Sequence, residues 1–255
     1  MVARRWLILV SIVSVVMFIL VWHQFSRNAD PSLFPTPRAS WDGAVELWRA
    51  GILWDSMWIS VQRAMKGWLL GAFIGIPIGL AAGASRLFRA VVDPFIHFFR
   101  FVPALALISV FLLWFGIGES SKVNLVVYAT AFVIIVSTAG GAAAVPTDKR
   151  DAARCLGASR VQVFLQVTVP STVPAIFLGM RLALANAFLV IVAAEALGTR
   201  SGIGYLIWNS RTYFRTDHIF VGIVCLGVLG FSFDRVWRLV GRTILQRFLR
   251  REGNY

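Results

Sequence analysis

Six long apolar stretches, separated by short polar segments, dominate the pattern of this chain. An apolar helix needs about 20 residues to cross a bilayer. The pattern therefore predicts six membrane-spanning helices, at residues 6–26, 67–85, 101–118, 123–145, 177–197 and 219–233. We expect the second helix to begin earlier, near residue 56, and the third near residue 95. The sixth stretch is short, so its helix should continue to about residue 240.

The beginning of the chain has the form of a signal peptide, because Arg4 and Arg5 precede the first apolar stretch. That stretch is longer than the apolar region of about 7–15 residues in a signal peptide, and no small-residue cleavage site follows it, which favours a retained helix. Residues 27–55 are polar and rich in proline, as in an external segment with a short surface helix near 41–54. The predicted organisation is a first transmembrane helix (1–26), this external segment (27–55), a core of five further spans (56–245) and a tail (246–255).

Glycine recurs at every fourth position of the second stretch, at residues 71, 75, 79 and 83. Such a spacing places small residues along one side of a helix and lets a neighbouring backbone approach closely in lipid. We expect this side to be a helix-packing surface.

A polar interruption at residues 146–172 separates the fourth and fifth stretches. Asp148 can cap a helix that starts at Lys149, and Gly157 suits the left-handed residue that ends it. Ser159 with Gln162 has the spacing of a capping box, which predicts a second short helix. Prolines 170 and 174 should then break that helix before the fifth span. A helix pair tied at both ends to spans could act as a lever, although an ordinary interfacial loop would show the same pattern.

Composition places the chain among integral membrane proteins, since 58% of its residues are hydrophobic, 15% are charged and the mean hydropathy is +0.75. The net charge of +13 does not indicate nucleic-acid binding, because the basic residues collect in short loops on one side of the predicted spans. That asymmetry predicts that both termini and residues 146–172 are cytoplasmic. Cys155 and Cys225 are far apart and fit neither a disulfide framework nor a metal site.

Two charges interrupt the fifth stretch, Arg181 and Glu195. Fourteen residues of helix place them within about 40° of one face and about 21 Å apart along the axis. Charges in lipid are costly, so we expect them to face protein or a water-filled pathway. Arg181 could instead extend to the inner interface, and Glu195 could hold the glycine-rich turn at 198–204 through backbone donors. Asn186, between them, could bond a neighbouring helix or a substrate.

Two further pairs of polar residues are assigned structural roles. Glu119 and Lys122 should form a weak pair in an external turn. Asp93 should cap the third helix against Arg100. No nucleophile or acid–base pair converges at one membrane depth, and the three histidines are isolated, so no catalytic residue and no metal site are predicted.

The polar interruption resembles the signature loop of permease subunits of bacterial ATP-driven (ABC) importers. That loop reads Glu-Ala-Ala, three residues, Gly, nine residues, then an aliphatic residue, any residue, an aliphatic residue and Pro. This chain has Asp151-Ala152-Ala153, Gly157 and Val167-Thr168-Val169-Pro170 at matching spacing, with Asp for Glu and Val for Ile or Leu. In that family the loop, which corresponds here to residues 148–170, is the cytoplasmic coupling helix that docks on the ATPase. The resemblance therefore assigns ATPase coupling to Asp151, Ala152, Ala153, Arg154, Gly157, Ala158, Ser159, Val167 and Pro170.

Further motifs are similar to the nitrate/sulfonate/taurine branch of these permeases. They lie at 93–94, 100–103, 113–119 with Lys122, 156–159, 179–181, 194–195 and 202–207. The resemblance implies an all-α, type I importer permease and a substrate pathway that includes Arg100 and Pro103 as well as Arg181, Asn186 and Glu195. The chain has no glycine-rich phosphate loop, so ATP hydrolysis should belong to a separate subunit.

The resemblance also implies partners and a location. We expect a second permease copy, two cytoplasmic ATPase subunits that hold ATP and magnesium, and a periplasmic or lipid-anchored substrate-binding protein. The chain itself should bind no cofactor, and it should lie in the bacterial inner membrane in contact with lipid. The solute would be a small anion such as nitrate, a sulfonate, taurine or a similar organic acid. The alternatives are a permease for another small solute such as a thiamine-pyrimidine precursor, a non-transporting membrane scaffold and a membrane-embedded enzyme.

Overall fold

The computed structural model describes residues 2–30 and 32–249, with side chains at residue 6, at 9–30 and at 32–243, and this part of the chain is almost entirely helical. The predicted tail at 246–255 lies largely outside the described residues. The helices are α1 (Val2–Asn28), α2 (Pro37–Arg49), α3 (Ile52–Ala84), α4 (Arg86–Phe99), α5 (Ile108–Phe115), α6 (Glu119–Ala143), α7 (Thr147–Cys155), α8 (Arg160–Val163), α9 (Val169–Gly198), α10 (Ile203–Thr212) and α11 (Thr216–Leu249).

The glycine side of α3 is the packing surface that its spacing predicts. A Cβ added at Gly71 would overlap Thr130, and one added at Gly83 would overlap Ala142, so the backbones of α3 and α6 lie close together. Contacts advance along both helices in the same direction, which shows that α3 and α6 run parallel. Gly67 extends the same side by one turn beyond the predicted positions.

Parallel packing of α3 and α6 requires the chain between them to cross back, and α4 with α5 makes this crossing. The two helices meet at an angle of 83°, joined by a short 3₁₀ turn at Ala104–Leu107. Counting this bent pair as one, the described residues contain six candidate spans. The prediction of one continuous third helix from near residue 95 is wrong, because the helix breaks at residues 100–103, where Pro103 has no N–H to donate. Asp93 lies inside α4 rather than at its start, and Ser85 caps that helix through the Phe88 N–H.

Helix α9 packs antiparallel against α6 and completes the core. Gly141 of α6 faces Ala175, and Gly179 of α9 faces Ser137. The Trp68 indole of α3 donates to the Met180 carbonyl across the same core at 2.9 Å. Helix α5 lies on one side of α6 and α11 lies beside α9, so one face of α9 stays open between them.

The predicted break at prolines 170 and 174 is wrong. Residues 160–198 form one helical span in which a wide π-helical segment, Phe164–Thr168, precedes the first proline. A π segment shifts the backbone hydrogen-bond register, and it accommodates the missing N–H of Pro170. The second helix of the polar interruption is therefore a direct extension of the fifth span.

Helix α1 lies apart from the core and contacts it at its C-terminal end. Trp22 donates to the Pro35 carbonyl at 3.0 Å and stacks on Phe220 of α11. Most of the described side chains of α1 are exposed, as expected for a helix that faces lipid. Helix α11 covers the predicted sixth span and continues through residues 237–240, which confirms that the short apolar stretch uses these residues.

Candidate functional site

The helical hairpin made by α7 and α8 has the cap chemistry that its sequence indicates. Gly157 has a φ of +87°, which favours glycine, and its N–H donates to the Arg154 carbonyl at 2.9 Å to end α7. Ser159 and Gln162 form the predicted capping box, with the Ser159 N–H donating to Gln162 Oε1 at 2.7 Å. The start of α7 differs from the prediction, because Pro146 precedes the helix and Asp148 lies in its first turn. A proline before the first turn lacks only a donor that would be unpaired there anyway.

Apolar side chains stand exposed on this hairpin. Leu156 is 89% exposed, and Val161 and Leu165 are also largely exposed. Asp151 and Arg154 form an exposed ion pair at 3.7 Å beside them. Ala152 and Ser159 are exposed as well, whereas Ala153, Ala158, Val167 and Pro170 are half-buried. An apolar surface with a polar rim is typical of a protein-docking site.

The break between α4 and α5 opens a chamber of about 820 Å³, which we call the elbow chamber. Arg100 and Pro103 line it from the break, and Asn186 lines it from α9. Three of the five predicted pathway residues therefore meet in one cavity. Tyr128 of α6 holds the break in place, since its hydroxyl donates to the Phe99 carbonyl at 2.7 Å. Tyr128 is close to the middle of α6, so the chamber lies near mid-depth of the spans.

A second cavity, of about 510 Å³, lies between α9 and α11. Arg181 marks one end of it and forms an ion pair with Asp234 of α11 at 2.5 Å. Asp234 also pairs with Arg238 at 2.7 Å, which leaves one positive charge in excess among these three groups. Leu189 lines both this cavity and the elbow chamber, so the two cavities adjoin along the open face of α9.

Glu195 lies outside both cavities and is fully buried at the end of α9 near α10. Its carboxylate accepts the Gly204 N–H at 3.0 Å, which confirms the expected hold on the glycine-rich turn. It also accepts the Ser60 hydroxyl at 2.7 Å and an Arg63 N–H at 2.9 Å, both from α3. In this structure Glu195 is an anchor, and its assignment to the pathway stays a prediction.

Ser60 and Arg63 are residues that the sequence analysis missed. Arg63 is 4% exposed and joins Glu195 to Glu119 of α6, with an Nη2–Oε1 distance of 2.6 Å to Glu119. Glu119 also lies 3.8 Å from Lys122, the pair that was expected, but both residues lie in the first turn of α6 and Lys122 is buried, so their placement in an external turn is wrong. Their role could have been predicted from Arg63 itself, because an arginine within an apolar helix needs a buried partner.

The external segment attaches to the same end of the molecule through a charged cluster. Arg215 binds Glu46 of α2 at 2.6 Å and Asp217 at 2.9 Å, and its guanidinium holds the pKa of the Glu46 carboxyl below the ordinary value. Glu46, Asp217 and His218 are close enough together to suggest a metal site. Arg215 already lies among them, at 2.6 Å from His218 Nε2, so the cluster is an ion-pair joint.

Comparison with known proteins shows which protein family this chain matches. Residues 75–246 match the model of the family described as the binding-protein-dependent transport system inner membrane component. The chain is 36% identical over 215 residues to the putative aliphatic sulfonates transport permease protein of Bacillus subtilis, covering 84% of this chain and 78% of that protein. It is 34% identical to the taurine transport system permease protein of Escherichia coli, with coverage of 77% and 70%. It is 37% identical to the nitrate import permease protein of Synechococcus elongatus, with coverage of 73% and 68%.

Solved structures share the fold. An inward-facing conformation of the MetNI methionine ABC transporter aligns with a TM-score of 0.61 at 20% identity, over 74% of this chain and 96% of that chain. An amino acid ABC transporter solved with histidines also aligns with a TM-score of 0.61, at 14% identity, over 80% and 97% of the two chains.

Proposed function

Because this chain belongs to the family of inner membrane components of binding-protein-dependent transport systems, we propose that it forms the solute pathway of an ATP-driven importer of small anions. Subunits of this family are non-catalytic and work with a separate ATPase and a substrate-binding protein. We place this one in the bacterial inner membrane, with ATP and magnesium held by two cytoplasmic ATPase subunits. The observation that carries the proposal is the open face of α9. Two cavities adjoin along this face, and the helical span that contains α9 continues into the hairpin.

A second copy of the chain would close this face. Leu178, Leu182 and Leu189 of α9 are each more than half exposed, and of these Leu182 and Leu189 line the elbow chamber. Apolar side chains at such a position can face a symmetric partner, because a twofold axis places the same surface opposite itself. We therefore propose a homodimer with the pathway between the two copies.

The hairpin would couple this pathway to ATP. Residues 160–198 are one helical span, so a displacement of α8 moves the segment that carries Arg181 and Asn186. Closure of the two ATPases on nucleotide would bring the two hairpins together and open the pathway outward, and hydrolysis would reset it. Leu156, Val161 and Leu165 would supply the apolar contact with the ATPase.

Positive charge in the cavities favours an anionic solute. Arg100 lines the elbow chamber, and Arg181 and Asp234 at the second cavity form a cluster with Arg238, outside its lining, that has an excess positive charge. Relatives named for aliphatic sulfonates, taurine and nitrate point to the same class of solute. A thiamine-pyrimidine precursor is the alternative solute, and uptake measurements with both classes separate the two.

The test is purification of the tagged chain from its host in mild detergent, followed by mass spectrometry of what accompanies it. We expect an ATPase with a phosphate loop in near-equal amount, and its companion binding protein would identify the solute class. Absence of an ATPase from a well-solubilised sample, also with nucleotide present, would contradict the proposal and return attention to a scaffold or an enzyme.

A further inference from the structure

The elbow chamber has an aromatic wall. Phe99 stacks against Phe132 with ring centroids 6.1 Å apart, and Tyr128 meets Phe132 edge-on at 5.1 Å. All three line the chamber, and Phe101 joins them from the break. Most of the other lining residues are aliphatic. A volume of about 820 Å³ lies within the usual range for sites that hold organic ligands.

Two of the four polar side chains that line the chamber, Arg100 and Asn186, have no hydrogen-bond partner within the described part of the chain. The other two are already paired, because the Tyr128 hydroxyl donates to the Phe99 carbonyl and the Ser137 hydroxyl donates to the Ala175 carbonyl at 2.9 Å. The Arg100 guanidinium has only a cation–π contact, 4.6 Å from the centroid of Phe101. The Asn186 amide likewise makes no hydrogen bond within this region. Arg100 is exposed and Asn186 is half-buried, so both groups are free to bind a ligand that enters the chamber.

The charge of the chamber is one-sided. Among the described residues that line it none is acidic, and Arg100 is the one cation. The chamber can therefore neutralise one negative charge on a ligand but offers no carboxylate for a positive one. A small hydrated ion would leave the apolar wall of the chamber in contact with water, whereas an apolar ligand body would bury that wall and make binding more favourable.

We propose that the elbow chamber is a subsite for an organic monoanion, which places its sulfonate or carboxylate at Arg100 and Asn186 and its apolar body, preferably aromatic, against Phe99, Tyr128 and Phe132. This inference rests on the proposed function, because the chamber opens onto the face assigned to the pathway. It narrows the solute class. Aryl and alkyl sulfonates or carboxylates fit the chamber, while taurine leaves its ammonium unpaired and nitrate leaves the aromatic wall empty.

The test measures binding of radiolabelled p-toluenesulfonate to the purified full chain in lipid nanodiscs, with empty nanodiscs as the partition blank. Competitors are unlabelled p-toluenesulfonate, taurine, nitrate and the neutral analogue methyl p-tolyl sulfone. We expect saturable binding that the sulfone displaces at least about tenfold more weakly than p-toluenesulfonate, because a charge-assisted hydrogen bond is worth more than one factor of ten. Taurine and nitrate should also displace it more weakly, because taurine leaves its ammonium unpaired and nitrate leaves the aromatic wall empty. Equal displacement by the neutral sulfone would overturn the proposal, since the site would then be a general apolar cavity.

Variants assign the binding to the chamber. Arg100→Gln should weaken p-toluenesulfonate binding by about tenfold or more, and Phe132→Leu should weaken it while keeping the volume apolar. Arg38→Gln removes the same charge from an exposed site on α2 and should leave the affinity unchanged. An equal loss in Arg38→Gln, or no loss in Arg100→Gln, refutes the assignment. If Arg100→Gln does not fold, the competition series on the unaltered chain decides.

Failure of this subsite and failure of the proposed function are distinguishable. Copurification of the ATPase with ATP-driven uptake supports the permease whatever the nanodisc measurement gives. Absence of saturable p-toluenesulfonate binding in a chain that still assembles and transports refutes the subsite alone.

Discussion

Arg63 shows how one side chain can connect three helices. Its guanidinium lies between Glu195 of α9 and Glu119 of α6, and it also donates to the Ser201 carbonyl at 2.9 Å. With Lys122 beside Glu119, the cluster contains two positive and two negative charges. A buried charge is tolerated when it is paired and its hydrogen-bonding capacity is satisfied. Arg63 therefore stabilises the end of the molecule where α9 meets α10.

Removal of Arg63 should be costly because it leaves the carboxylate of Glu195 buried with one fewer partner. We expect Arg63→Met to lower the free energy of unfolding by about 3–5 kcal/mol, measured by unfolding in mixed micelles. Arg38→Met, an exposed position on α2 outside the cluster, is the control and should change it by about 0.5 kcal/mol or less. Adding Glu195→Gln to Arg63→Met should recover part of the loss. A loss as large in Arg38→Met would show that the effect is not specific to the cluster.

At the scale of elements, glycine sets how closely the spans approach. Two neighbouring glycines of α6 differ completely in their surroundings. A Cβ on Gly141 would overlap the Cβ of Ala175 in α9, whereas one on Gly140 would find no heavy atom within 4 Å. Substituting these two glycines therefore distinguishes the effect of close packing on stability from the effect of helix propensity, because the two positions are adjacent in the same helix.

Gly141→Ala should destabilise the protein by about 1–3 kcal/mol, since α6 and α9 must move apart. Gly140→Ala should be neutral or stabilising by up to about 1 kcal/mol, because alanine is the better helix former. Thermal unfolding of the two variants in the same detergent checks both values. Equal melting temperatures would contradict the packing seen between α6 and α9.

The hairpin of α7 and α8 depends on one backbone conformation. Gly157 has positive φ, and its N–H donates to Arg154, while the space around its Cα is open. Substitution there acts through the backbone alone and leaves the packing of the spans unchanged.

Gly157→Pro should uncouple ATP hydrolysis from uptake while the spans still insert. Proline requires a φ near −65° and has no N–H, so the hairpin must change shape. We expect solute transported per ATP to fall by about tenfold or more, because the lost conformation costs more than 1.4 kcal/mol. Proteoliposomes with the complete importer measure both rates. Gly157→Asn, which tolerates positive φ, should retain most of the coupling, and full uptake in the proline variant would refute the coupling role.

At the scale of the whole molecule, the orientation in the membrane follows from where basic residues lie. Parallel packing of α3 with α6 and antiparallel packing of α6 with α9 place the hairpin and the turn at 199–202 at opposite ends. Cys155 is exposed on the hairpin, so it reports which side that end occupies.

A membrane-impermeant maleimide should label Cys155 in inside-out vesicles and not in intact spheroplasts, because the hairpin is expected to be cytoplasmic. The labelling uses a Cys225→Ser background. Arg211→Cys in a chain without the two native cysteines is the matched control at the other end and should show the reverse pattern. Labelling of Cys155 from outside would invert the topology and exclude contact with a cytoplasmic ATPase.

The helices, their packing sides and their caps could largely be predicted from the sequence, because these features depend on residues that are close together in the chain. The length of the apolar stretches indicated six spans, the glycine spacing indicated the packing side of α3, and the cap residues indicated Gly157 and the Ser159–Gln162 box. These features arise within a few turns of helix, where periodicity and backbone hydrogen bonding decide the outcome.

Only the tertiary structure decided which distant groups meet. Asp234 is 53 positions from Arg181, and Arg63 is 132 positions from Glu195, so no local pattern could pair them. The bend before Pro103 brought Arg100 and Asn186 to the lining of one chamber, and the π segment let the helix continue through Pro170. Each outcome depends on how helices rotate and pack against one another, because a buried charge takes whichever partner that packing places within reach.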